Sequence, residues 1–372
     1  MLKKTLRRFG AVAMSLALAV SVFAVSASAV DGNTLTIKKT VTADGNTYAP
    51  ATSFTFSIAP AGAGTFDGNV VYAGVADGAK FATGANTITY SAADGIIGAA
   101  GLTKTTTIST DYTKFTVPGI YHYTVTETAG SYEGITYDTT ARDLYVYVVN
   151  DTSSTNGLKV SSVVLAKTVT EIVDKDGTPT EVKTVVKDEE WTNDYGKTND
   201  TTHDVKITKA VTGSQGDKNK LFTFTVSVTG AVNERYKVVY KTASNATETV
   251  TYVDSTNSTA TGAVKSLSID IKDTGYIQIY GLTATDTYTV TENSYAEDGY
   301  TTTVDNGQGI GLITGLTATG NATADGTTRT VTNTKNVTPP TGVITTVAPY
   351  ALMLVVAGAF AVVFLTRRNR AE

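Results

Sequence analysis

The sequence predicts an all-β chain of two tandem immunoglobulin-like β-sandwich domains. Apolar residues alternate with polar ones in short runs: Phe54/Phe56/Ile58, Tyr121/Tyr123/Val125, Leu144/Val146/Val148 and Phe222/Phe224/Val226/Val228. That is the period of a strand with one buried face. Clusters of Gly, Asp and Asn separate the runs, and no convincing amphipathic helix is legible between the chain ends. The order of motifs also repeats. Lys39 precedes Ser53-Phe54-Thr55-Phe56, and Lys209 precedes Leu221-Phe222-Thr223-Phe224. Each block then reaches a Tyr-Thr-Val-Thr-Glu stretch and closes on an Asn-bearing strand, as two copies of one fold would.

Taken in order, residues 1–29 read as a secretory signal peptide. Lys3, Lys4, Arg7 and Arg8 precede an apolar run, and Ala27-Ser28-Ala29 supplies the cleavage site. The first domain is expected over 30–197 and the second over 198–337, with Gly196–His203 as a polar linker. Asp174-Lys175-Asp176-Gly177 reads as a hairpin turn; the remaining ligands of a calcium loop do not follow it. Gly307–Gly311 is glycine-rich but lacks a dinucleotide-binding context and reads as a loop. At the C-terminus, 343–365 reads as a transmembrane span and 366–372 as a basic cytoplasmic tail holding Arg367, Arg368 and Arg370. A single membrane anchor is the simplest reading of that tail. The element before it, Thr338-Pro339-Pro340-Thr341-Gly342, favours another. It resembles the sorting signal of Gram-positive surface proteins, which sortase cuts between Thr and Gly, here Thr341–Gly342. Thr338 stands where that signal usually has Leu, which implies a variant or dedicated sortase.

Composition narrows the function. The full chain has a formal charge of −4. The product lacking 1–29 and 342–372 would be near −10, because seven of the 30 Lys+Arg leave with the ends and only one of the 34 Asp+Glu. A nucleic-acid partner is disfavoured. There is no cysteine, which excludes thiol catalysis and disulfides and leaves room for another covalent staple. Of the two histidines, His122 is expected to face solvent and His203 to lie in the linker. No cofactor or metal is implied, and an exported enzyme is disfavoured.

The residues that carry chemistry form two triplets: Lys39, Glu127 and Asn193, then Lys209, Glu292 and Asn333. Strand side chains alternate faces. Lys39 shares parity with Leu35, Ile37 and Val41, and Lys209 with Val205, Ile207 and Val211. Glu127 goes with Tyr123 and Val125, Glu292 with Tyr288 and Val290, Asn193 with Trp191, and Asn333 with Val331. All six polar groups are therefore expected inside apolar cores, whereas Lys38 and Lys206 have surface parity. Burial favours the neutral forms of amine and acid. A neutral lysine can attack the Asn carboxamide while the Glu moves protons, leaving an amide crosslink and releasing ammonia. The plainer reading is a buried Lys–Glu ion pair hydrogen-bonded to an amide.

On these motifs the chain resembles a streptococcal-type major, or backbone, pilin with intramolecular isopeptide bonds. The resemblance implies crosslinks Lys39–Asn193 and Lys209–Asn333, with Glu127 and Glu292 catalytic. It implies a structural shaft subunit, not an enzyme, in a cell-wall-anchored fimbrium. A pilin-type sortase would join Thr341 of one copy to a lysine of the next. Lys187 is the best match for that lysine and Lys183 the alternative, although the match needs a one-residue gap. Implied partners are neighbouring copies of the chain, minor tip and base pilins, peptidoglycan and a host-surface ligand. The competing reading is a monomeric wall-anchored adhesin using crosslinked sandwiches as a stalk.

Overall fold

The computed structural model describes residues 33–66, 68–175, 178–305, 313–337 and 341–368. The expected signal peptide, the glycine-rich 307–311 segment, the tip of the 174–177 turn and Thr338–Pro340 lie outside these residues.

Among the described residues four sheets account for the strands, and none mixes strands from before and after the 196–202 connector. In the first half, Thr34–Ala43 lies in a five-stranded sheet between Leu102–Thr110 and Glu190–Tyr195. Facing it is an eight-stranded sheet containing Ser53–Pro60, Gly119–Thr128, Arg142–Asn150, Leu158–Lys175 and Thr178–Lys187. One core joins them: Ile37, Val41 and Trp191 meet Phe54, Phe56, Tyr123, Val125 and Leu144. In the second half, His203–Thr212 lies in a seven-stranded sheet between Tyr276–Leu282 and Thr327–Thr334. A four-stranded sheet holds Phe222–Thr229 and Thr287–Glu292. Val205, Ile207, Ile277 and Val331 pack there against Phe222, Phe224, Tyr288 and Val290. The alternation of apolar residues is what gives each sheet its inner face.

In both halves the first and last strands are neighbours and run parallel. Lys39 pairs with Trp191 and Val41 with Asn193; Lys209 pairs with Val331 and Val211 with Asn333. The chain therefore enters at one end of each sandwich and leaves at the other, so tension acts along these two strands.

The halves also touch. Tyr195 donates to Glu234 Oε1 at 2.8 Å, Lys237 donates to Asn46 Oδ1 at 2.8 Å, and Thr285 hydrogen-bonds Glu133.

The segment expected to span a membrane falls in one helix, Thr341–Arg368, whose described side chains contribute nothing to either core. Its Leu354, Phe360 and Phe364 are exposed. No helix among the described residues is long and apolar enough to cross a membrane, so the transmembrane expectation for 343–365 is withdrawn. The uninterrupted apolar run, Ala351–Leu365, falls short of the roughly 20 residues a crossing needs.

Two expectations for histidine also change. His122 has outward parity and its side chain stays 21% exposed, but Asn69–Ala73 pairs alongside its strand there. Its ring stacks on Tyr145, with centroids 5.0 Å apart, and its Nε2 bonds Asp143 at 2.8 Å. His203 is not in the linker. It opens the strand that carries Val205, Ile207 and Lys209, shares their inward parity and is buried.

Candidate functional site

Each half of the chain gathers one triplet. Lys39 and Asn193 project from neighbouring parallel strands of the five-stranded sheet, offset by two residues, which puts their Cα atoms about 8 Å apart. A lysine side chain spans most of that gap. Glu127 comes from the opposite sheet, where it pairs with Phe56. Lys209 and Asn333 repeat the offset, and Glu292, paired with Phe224, faces them. All six residues are buried, with Lys39, Asn193, Glu292 and Asn333 at 0% exposure. Lys38 is exposed and Lys206 lies half-buried over the Tyr276 ring.

At the first site the Glu127 carboxylate bridges the other two groups. Its Oε2 lies 2.8 Å from Lys39 Nζ, and its Oε1 accepts from Asn193 Nδ2 at 2.6 Å. The Asn193 carboxamide oxygen accepts from the Asp138 backbone N–H at 2.7 Å. Lys39 Nζ also sits 4.7 Å from the Phe54 ring centre. At the second site Lys209 Nζ lies 3.3 Å from Glu292 Oε1, and the same oxygen accepts from Asn333 Nδ2 at 3.1 Å. Lys209 Nζ lies 4.4 Å over Phe222. Asn333 Oδ1 is buried and has no hydrogen-bond partner among the described residues.

Desolvation lowers both amines to a pKa of about 8, against the pull of the neighbouring carboxylates. It raises the Glu292 carboxyl, against Lys209. Two opposite charges in an apolar core gain by passing a proton from amine to acid and becoming neutral. At the second site such a transfer would leave a nucleophilic amine beside a protonated acid that also touches the amide nitrogen.

One residue that parity could have exposed completes the first site. Arg142 shares parity with Leu144, Val146 and Val148, and it is buried like them. Its guanidinium lies 4.4 Å from the Trp191 ring centre, pairs with Asp138 at 2.8 Å and Asp188 at 3.1 Å, and bonds the Glu190 carbonyl at 2.7 Å. It fixes the segment that presents the Asp138 N–H. Position 142 followed the right period, but its residue type did not suggest an interior position.

Lys187 and Lys183 both lie on Thr178–Lys187, the edge strand of the eight-stranded sheet. Lys183 is exposed. The Lys187 side chain is 61% exposed and pairs with Glu189 at 2.9 Å. Thr341 and Gly342 open the C-terminal helix.

Comparison with known proteins follows the same division. Residues 35–196 match a family described as a Spy0128-like isopeptide containing domain. Residues 203–335 match a family described only as a domain of unknown function. A curated protein described as "Pilin", from Streptococcus pyogenes serotype M1, is 30% identical over 356 residues, 91% of this chain and 92% of that protein. The crystal structure of the major pilin from Streptococcus pyogenes superposes with a TM-score of 0.55 at 24% identity, covering 83% of this chain and 100% of the other. The major pilin T3.2 from serotype GAS13637 gives 0.50 at 23% identity, covering 82% and 98%. At these identities the two structures speak to the fold.

Proposed function

Because this chain belongs to the streptococcal-type pilin family, we propose that it is a pilus shaft subunit whose sandwiches are each closed by a self-formed Lys–Asn isopeptide bond. The observation that carries the proposal is the placement, twice, of a buried carboxyl in contact with both a buried amine and a carboxamide nitrogen.

The chemistry follows from those contacts. The carboxylate takes the proton of the lysine ammonium. The neutral Nζ attacks Cγ of the asparagine, and the carbonyl oxygen gains negative charge as the carbon becomes tetrahedral. The protonated Glu then gives its proton to Nδ2 of the collapsing intermediate. The C–N bond breaks, ammonia leaves, and Nζ–Cγ remains as an amide. The attacking nitrogen gives its second proton to the carboxylate, and that proton leaves with the ammonia as ammonium, so the Glu ends as the carboxylate it began as. The protein is its own substrate, once per domain.

Tension makes the bond useful. A crosslink between parallel terminal strands carries load from entry to exit without shearing the hydrogen bonds between them. On the chain-entropy model, closing the loop from 39 to 193, or from 209 to 333, adds about 5 kcal/mol in each case. That is comparable with the roughly 5–15 kcal/mol that holds an ordinary domain folded.

For assembly, the sorting-signal resemblance supports sortase cleavage at Thr341–Gly342, which would discard the exposed apolar helix. The exposure of Lys187 supports its role in receiving Thr341 of the next copy, with Lys183 as the alternative. A head-to-tail join of this kind does not close and builds a fibre. The last subunit would attach to peptidoglycan, and minor tip and base pilins would complete the fibre. Wall extracts should contain a high-mass ladder that collapses to monomer on Lys187→Ala. Persistence of the ladder moves the junction to Lys183. A single band in the unaltered chain that retains ligand binding supports the monomeric adhesin instead.

A further inference from the structure

The two histidines of the chain contrast sharply. Both ring nitrogens of His122 are engaged, Nε2 with Asp143 and Nδ1 with the Gly62 carbonyl at 3.2 Å. His203 is 7% exposed, and its Nδ1 is buried with no hydrogen-bond partner among the described residues. That nitrogen faces Asp200 Oδ1 at 3.7 Å and Asp325 Oδ1 at 3.6 Å. Both separations are too long for hydrogen bonds. They suit two ligands sharing one ion: donors about 2.1 Å from a metal, at tetrahedral to trigonal angles, lie about 3.4–3.6 Å apart. One ligand atom from each of Asp200, His203 and Asp325 lies within 4.8 Å of the others.

We propose that Asp200, His203 and Asp325 form a binding site for one divalent transition-metal ion, zinc in the first instance. The imidazole selects zinc and its neighbours over calcium or magnesium, which prefer all-oxygen shells. Three protein ligands leave a fourth position for water. The placement gives the ion a structural consequence. Asp200 lies on the connector between the two halves, whereas Asp325 lies in the turn before Thr327–Thr334, the strand that carries Asn333. The ion would tie the connector to the C-terminal half and stiffen the junction, independently of either crosslink.

The test uses the 30–341 region, which holds both complete cores, stripped with chelator and titrated with zinc chloride by calorimetry. One ion should bind per chain. Asp200→Asn and Asp325→Asn should each weaken binding about tenfold or more. Their side chains are 72% and 63% exposed, so neither change should disturb folding, and circular dichroism checks that point. Nitrogen-15 NMR should show the His203 Nδ1 resonance moving on zinc addition while the His122 signals stay in place. Absence of binding overturns the proposal, as does binding unchanged in both variants or seen at His122 alone. In those cases His203 is simply a buried ring between two carboxylates.

Discussion

The two candidate crosslinks use the same three residue types on the same strands, yet their surroundings differ. At the first, the two Glu127 oxygens divide the work, one on the amine and the other on the amide nitrogen, and a backbone N–H polarises the Asn193 carbonyl. At the second, one oxygen of Glu292 serves both groups at longer distances, and the Asn333 carbonyl oxygen has no donor among the described residues. That oxygen is where charge accumulates as the amine attacks. A pre-positioned donor there is typically worth about 10²–10³ in rate. On the proposed chemistry, the comparison teaches that the triplet would permit the reaction while the loop around it would set the pace. The Asp138 segment, held by Arg142, has no counterpart at Asn333 among the described residues.

The largest expected effect tests what the sites share. Glu127→Ala and Glu292→Ala should each leave one crosslink unmade and cost about 5 kcal/mol in denaturant unfolding of the affected half. A loss from only one variant would show that the two sites do not do the same thing.

The second prediction concerns pH. In Asn193→Ala or Asn333→Ala the lysine stays free, with a folded pKa of about 8 against an ordinary value of 10.5. The folded state then binds fewer protons than the unfolded state between these values. This contribution to stability is therefore fully present above about 10.5 and is lost as pH falls through about 8. It amounts to up to about 3 kcal/mol. The unaltered chain, its amines consumed, should lack this dependence, so the same slope in both would break the account.

The third prediction sharpens the difference. In chains refolded from denaturant, the first crosslink should form about 10²-fold faster than the second, as followed by timed digestion and mass spectrometry. Equal rates would remove the role given to the Asp138 N–H. The smallest effect is expected for Arg142→Lys. It should slow the first crosslink alone, because a lysine keeps the charge but not the planar fork that spans Asp138, Asp188 and the Glu190 carbonyl. Slowing of both would point to general destabilisation.

Much of this was legible in the sequence because strand parity is a strict code. Ile37 and Lys39, or Val331 and Asn333, had to share a face whatever else the chain did, and both lysines are indeed buried. Parity could not say which strands become neighbours, so the parallel pairing that places Asn193 two residues beyond Lys39 emerged only from the fold. It could not foresee that outward side chains engage one another, as His122 does with Tyr145 and Asp143. His203 was missed for a different reason: its polar, Asp-rich surroundings look like a linker, whereas the strand begins at the histidine itself. The Asp138 donor left no trace at all, because a backbone N–H has no residue-type signature.

The most direct test is peptide mapping of the purified 30–341 region by tandem mass spectrometry. The account predicts two branched peptides, one joining Lys39 to Asn193 and one joining Lys209 to Asn333, each lighter than its parts by one ammonia. Recovery of all four residues in separate linear peptides of unreduced mass would contradict it.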